Sequence, residues 1–215
     1  EIASVLAFSA IRNNDRVGLL LFTEDTEAFI PPRKGRRHVL RVIREILFFE
    51  PKQRGTDIQS ALQYMQRVLP RRAVVVLVSD FLGQTRTAAR DVSAHLKRGA
   101  VFSTTLGQVS LAALRQARRR HDVVAVQVVD RFELQLPPLG RMILKDAETG
   151  EVLEIDTGNR LRREAFAERQ RRAQNELERL FRSASIDFIQ LRTDQPYAAA
   201  LARFFETREK RRRRG

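Results

Sequence analysis

The stretch Ala73-Val-Val-Val-Leu-Val-Ser-Asp80 is a continuous apolar run that stops at a carboxylate. A run of β-branched residues without alternation predicts a strand buried on both faces, because only a parallel sheet covered by helices hides every side chain along it. This strand is expected at the centre of a sheet, with Asp80 at its carboxyl end. Open α/β sheets bind ligands in the crevice beyond those ends. Upstream, Gly55-Thr56-Asp57 opens a helical pattern, where a hydroxyl at a loop-to-helix junction could face the same crevice. Thr56 and Asp80 are the candidate site residues.

Outward from this strand, the preceding chain reads as helix, strand, strand, helix, helix. Ile2, Val5, Leu6, Ser9 and Ala10 share a helical spacing, so the chain begins inside a helix where a doubly wound domain would start with a strand. Val17-Gly-Leu-Leu-Leu-Phe22 is a buried strand, and Ala28-Phe29-Ile30 a short one closed by Pro31-Pro32, which cannot donate to a ladder. Val39, Leu40, Val42, Ile43, Ile46 and Leu47 trace one helix face; Ile58, Ala61, Leu62, Met65 and Leu69 trace another after Gly55. Downstream, residues 81–107 show no clear periodicity. Residues 108–120 form a helix that delivers His121-Asp122 to a strand over 123–129, again ending on a carboxylate, Asp130. Met142-Ile-Leu144 and Val152-Leu-Glu-Ile155 read as an inserted β-hairpin near 141–156. Apolar positions from Leu161 to Phe181 mark a helix of about 24 residues, roughly 36 Å long. Ile186-Asp-Phe-Ile-Gln-Leu191 is the last strand and 197–205 the closing helix. The alternation predicts an α/β fold with a mostly parallel central sheet, one domain over residues 1–207.

Composition excludes several function classes. No apolar run approaches the roughly 18 to 20 residues of a membrane span, and the expected location is cytoplasmic. The chain has no cysteine, hence no disulfide and no thiolate metal site. His38, His95 and His121 stand far apart and outside any H-E-x-x-H pattern. The formal charge is +14, of which Arg208 to Arg214 supply +5 in a run that predicts a basic disordered tail over 208–215. The rest is spread along helices and uses 35 Arg against 5 Lys. The Arg171-Arg172 and Arg211 to Arg214 runs lack the interleaved aromatics that single-strand stacking requires, which argues against a nucleic-acid surface. No G-x-x-x-x-G-K, G-x-S-x-G or G-x-G-x-x-G motif is present. A Mg/Mn-dependent phosphohydrolase using Asp80 and Asp130 remains the enzymatic alternative. Thr56 also has a structural explanation, since Thr56-x-x-Gln59 before an apolar helix is a capping box.

Asn14-Asp-Arg-Val-Gly-Leu-Leu-Leu-Phe22, Pro31-Pro-Arg-Lys-Gly35, Gly55-Thr-Asp57, Val78-Ser-Asp-Phe81, Arg119-Arg-His-Asp-Val123, Val129-Asp130, Glu133, Leu136-Pro137, Gly140 and Asp146-x-Glu148-Thr-Gly-Glu151 closely resemble the bacterial domain of unknown function 58 family. That family looks like a von Willebrand factor A-type domain, and the resemblance covers nearly the whole chain. It implies a three-layer sandwich and a metal-ion-dependent adhesion site drawn from three loops: D-x-S-x-S, a threonine and an aspartate. Thr56 matches the second loop and Asp80 the third. The first loop, with its strand between 17–22 and 74–79, has no counterpart here. Asp91-Val-Ser-Ala-His95 echoes it but lies downstream of Asp80 and lacks the second serine. The resemblance further implies Mg²⁺ held, weakly, by Thr56 and Asp80, with a coordination position open to an acidic residue of a partner. The implied partners are a MoxR-type AAA+ ATPase and a client protein, served by a non-catalytic, chaperone-like interaction module.

Overall fold

A computed structural model describes residues 1–53, 55–81, 111–145 and 152–214. The chain divides into two compact units, Glu1–Arg71 and Arg72–Gly215. Among the described residues, its strands form three separate ladders.

In the first unit, α1 (Ile2–Arg12) leads into an antiparallel hairpin of β1 (Val17–Phe22) and β2 (Thr26–Arg33), followed by α2 (Arg36–Phe48) and α3 (Ile58–Val68). Ala7 of α1 and Val39 and Ile43 of α2 form a small buried cluster, with Ile11 and Val17 packed against it. Each such side chain taken out of water contributes about 1 to 3 kcal/mol, according to its size. His38 on α2 ties the same region together, its Nε2 lying 2.8 Å from the Val17 carbonyl. Pro31 and Pro32 do not close β2 as expected but lie inside it. The register shifts between Val17 and Leu19 of β1, opposite them, so the missing amides fall at an irregularity that requires no regular ladder bond.

In the second unit, β3 (Val74–Ser79), β4 (Asp122–Val129) and β7 (Asp187–Arg192) form a parallel ladder in that order. Among the described residues, the central strand of this ladder is β4, not β3. Val124, Ala125 and Val126 are fully buried, whereas β3 lies at the ladder's edge with Val74 54% exposed. An unbroken apolar run announces a strand but does not count its neighbours. Helix α4 (Leu111–Arg120) precedes β4, and the short α5 (Arg131–Leu134) follows it. The hairpin is present as β5 (Arg141–Lys145) and β6 (Val152–Asp156), antiparallel. Its base is closed by the buried Thr157, whose Oγ1 donates to the Gly140 carbonyl (2.8 Å) and accepts from the Leu139 amide (3.1 Å). Helix α6 (Arg160–Ser183) has the expected 24 residues and buries Phe166, Leu177 and Phe181. The Phe181 ring stacks on Phe188 of β7 at 5.3 Å.

Helix α7 runs from Tyr197 to Arg214, through the segment expected as a tail. Arg208, in the middle of this helix, is tied into the fold. That guanidinium is 11% exposed and bridges Asp122, the first residue of β4, and Asp187, the first of β7. Two carboxylates at adjacent strand starts meet one fork of donors, so a side chain counted with the tail is a packing element. The expected helix over 88–96 and the apolar patch at 100–102 lie outside the described residues, as does the loop at 146–151.

Candidate functional site

At the carboxyl edge of the parallel ladder, β3 ends in an exposed carboxylate, Asp80, and the chain turns at once. Phe81 has a φ of 54°, the left-handed region that costs a bulky residue energy. Three contacts hold it there. Its amide donates to Ser79 Oγ at 3.0 Å, and its buried ring meets Phe181 edge-on at 5.1 Å. The carbonyl of Asp80 accepts from Gln127 Nε2 at 3.0 Å. Ser79 Oγ also lies 3.4 Å from Asp80 Oδ1, a long and weak contact.

The next strand end carries Asp130, whose carboxylate is taken up locally. Oδ1 accepts from the Phe132 amide at 2.8 Å and caps α5, while Oδ2 accepts from Thr193 Oγ1, just past β7, at 2.8 Å. Glu133 completes the capping box by accepting from the Asp130 amide at 3.2 Å. Burial pushes the Glu133 carboxyl above its ordinary pKa, the amide bond opposes this, and the neighbouring charges of Asp80 and Asp130 add to the rise. The edge is therefore acidic, with two carboxylates acting electrostatically on a third.

Thr56 belongs to the first unit and Asp80 to the second. Thr56 is not the helix cap. Asp57 is, accepting from the Ser60 amide (2.9 Å) and the Ser60 hydroxyl (2.8 Å). The half-buried Thr56 forms no side-chain hydrogen bond among the described residues. Its loop is tied to the turn between β1 and β2. The Asp57 amide donates to the Thr23 carbonyl at 2.7 Å, and Glu27 accepts from the Lys52 amide (2.9 Å), the Gln53 amide (3.2 Å) and Thr23 Oγ1 (2.6 Å). These bonds, that of Thr23 first, hold the Glu27 carboxyl below its usual pKa. Gly55 fits because Glu24 crosses above it, where a Cβ would clash with that side chain.

Among the described residues, no group of three or more His, Cys, Asp or Glu side chains is arranged to hold a metal ion. Thr56 and Asp80 would offer a hydroxyl and a carboxylate. Such hard oxygen donors suit Mg²⁺, which keeps much of its water shell and needs few protein ligands. No helix among the described residues is long and apolar enough to cross a membrane. Glu27, Gln127 and Thr193 were not singled out from the sequence. For Gln127 a signal exists, an amide inside the otherwise apolar Val123-Val-Ala-Val-Gln-Val-Val129.

Residues 1–176 match the family described as "Protein of unknown function DUF58". An uncharacterized protein of Mycobacterium tuberculosis is 27% identical over 210 residues, which are 97% of this chain and 59% of that protein. The chain thus spans somewhat more than half the length of that relative. An uncharacterized protein of Mycobacterium avium is 29% identical over 183 residues, covering 84% of this chain and 94% of that one. Among solved structures, the conserved hypothetical protein BatB from Bacteroides thetaiotaomicron superposes with a TM-score of 0.53 at 16% identity, over 97% of this chain and 86% of that chain. An aerotolerance-related membrane protein from Bacteroides fragilis gives 0.51 at 16% identity, over 95% and 85%. At such identities the likeness is one of fold alone.

Proposed function

Because the chain belongs to the family of proteins of unknown function DUF58, we propose that it is a non-catalytic, von Willebrand A-like interaction module presenting Mg²⁺ from Thr56 and Asp80 to an acidic residue of a partner. The observation that carries this reading is Asp80, an exposed carboxylate at the carboxyl end of a parallel strand on an acidic edge. Such an edge attracts a divalent cation, and a carboxylate–cation–carboxylate bridge gives a directional contact at modest affinity. Thr56 supports it, since Asp57 performs the capping that would otherwise account for the hydroxyl. The partner we assign is a MoxR-type AAA+ ATPase, with which the module acts on a client protein in assembly, maturation or cofactor insertion in the cytoplasm.

Two alternatives fit less well. A phosphohydrolase would need Asp130 for chemistry, but both its oxygens are engaged by Phe132 and Thr193. A nucleic-acid surface on α6 would need free cations, but Arg171 and Arg172 both pair with Glu168. The test is co-purification with a MoxR-type ATPase in Mg²⁺ and in chelator. Capture that depends on Mg²⁺ and disappears in Asp80→Ala supports the reading; capture that survives both counts against it.

A further inference from the structure

Gln127 is 2% exposed in the middle of the most deeply buried strand. An amide there costs on the order of 1 to 3 kcal/mol unless its polar atoms are paired. Both are. Nε2 donates to the Asp80 carbonyl at 3.0 Å, and Oε1 accepts from Gln190 Nε2 at 3.0 Å. The direction is fixed by chemistry, because a carbonyl can only accept: the Gln127 amino group must face Asp80, leaving its oxygen for Gln190. Ser79, Gln127 and Gln190 are also register partners across β3, β4 and β7, so the three side chains share one row and one face of the ladder.

The row ends where the backbone is strained. Asp80 is the last residue before the left-handed Phe81, and among the described residues the Ser79 hydroxyl and the ring contact with Phe181 also restrain that turn. Helix α6 supplies the ring and the sheet supplies the amides. The Asp80 carbonyl and the Phe81 amide belong to one planar peptide, which Ser79 Oγ holds at its N–H and Gln127 holds at its oxygen. We infer that Gln190 and Gln127 form a cross-sheet amide relay that positions Asp80, fixing the direction in which its carboxylate meets a ligand. This rests on the reading of Asp80 as the cation-binding carboxylate. Gln127 and Gln190 touch no ligand, and their effect passes through the Asp80 peptide.

The experiment uses the 215-residue chain with Mn²⁺ as the probe, its affinity read by electron paramagnetic resonance and the exchange rate of the Phe81 amide read by NMR. Four proteins are compared: wild type, Asp80→Ala, Gln127→Met and Gln190→Met. Methionine keeps the side-chain length while removing both polar atoms. Gln127→Met is expected to weaken Mn²⁺ about tenfold, the size seen when a residue supporting a metal ligand is lost, and to speed Phe81 exchange by at least as much relative to Val124. Gln190→Met is expected to do the same more weakly, about threefold, and serves as the readout if Gln127→Met fails to fold. Lower thermal stability with unchanged Mn²⁺ affinity and unchanged Phe81 exchange would make the pair merely structural and overturn the inference. Wild type that binds no Mn²⁺, or Asp80→Ala that binds as well as wild type, would refute the reading of Asp80 and this role with it.

Discussion

His121 enters β4 with its ring 1% exposed and neither nitrogen hydrogen-bonded among the described residues. Burial, helped by the charge of Arg120, pushes its pKa below the ordinary value. The folded chain therefore keeps a neutral ring while the unfolded chain takes up a proton near pH 6.5. Stability is complete above that pH and falls as the pH drops below it, because the unfolded state then binds more protons. Urea midpoints compared at pH 7.5 and 5.5 are expected to fall more in wild type than in His121→Met; equal slopes would contradict this. At the same scale, Thr157→Val deletes the buried hydroxyl that bridges Leu139 and Gly140 and is expected to cost about 1 kcal/mol in denaturant titration, since two hydrogen bonds are lost while the Leu139 amide keeps the Pro137 carbonyl. Single residues were legible where position alone carries meaning. Asp80 and Asp130 stand out because each ends an apolar run. Thr56 and Asp57 are both good helix caps, and local sequence cannot choose between neighbours; the choice follows from the Asp57 amide bonding to Thr23, a residue 34 positions away. Glu27 was missed for the same reason, its three partners being set by the folded turn.

At the scale of elements, helices were easier to read than strand environments. The periodicity of α2, α3 and α6 carries its own buried face, whereas their caps did not follow from it. Asp57 and Asn159 each accept an amide of the first turn, so Asp57→Ala and Asn159→Ala are expected to lower unfolding free energy by about 1 kcal/mol each. A denaturant titration that resolves no change for either would show the caps to be dispensable. Strand content was also legible, and the β5–β6 hairpin appears where two short apolar runs predicted it. The rank of a strand within its sheet was not. Both β3 and β4 are valine-rich, and only the pairing of β4 with β3 on one side and β7 on the other separates centre from edge.

At the scale of the whole molecule, net charge was a poor guide to where cations act. Arginine pairs with acid along α6 at Arg160–Glu164, Arg171–Glu168, Arg172–Glu168 and Arg182–Glu178. Exposed pairs of this kind add little stability, but they lower the potential a phosphate backbone would meet. Random duplex DNA is therefore expected to bind weakly at about 150 mM salt, and a tight complex there in a mobility-shift assay would revive the nucleic-acid alternative. Arg208 is different because it is mostly buried and joins α7 to the starts of β4 and β7. Arg208→Leu removes the guanidinium that joins Asp122 to Asp187 and leaves Asp122 with the longer Arg118 pair at 4.0 Å. Allowing for the partial exposure of Asp187, it is expected to cost about 2 kcal/mol, largely insensitive to salt; a loss that vanishes in about 0.5 M salt, where the Debye length is about 4 Å, would identify an ordinary surface pair instead.

The two prolines within β2 bear on how the protein behaves in a crowd. Successive residues of an extended chain aim their amides toward opposite sides, so in a consecutive pair one absent donor must belong to the flank turned away from β1. A neighbouring molecule attempting to add itself there finds a gap in the row of donors it would need. Replacing Pro31 and Pro32 by valine should thus leave the folded hairpin in place yet hasten the growth of fibrillar material on prolonged agitation.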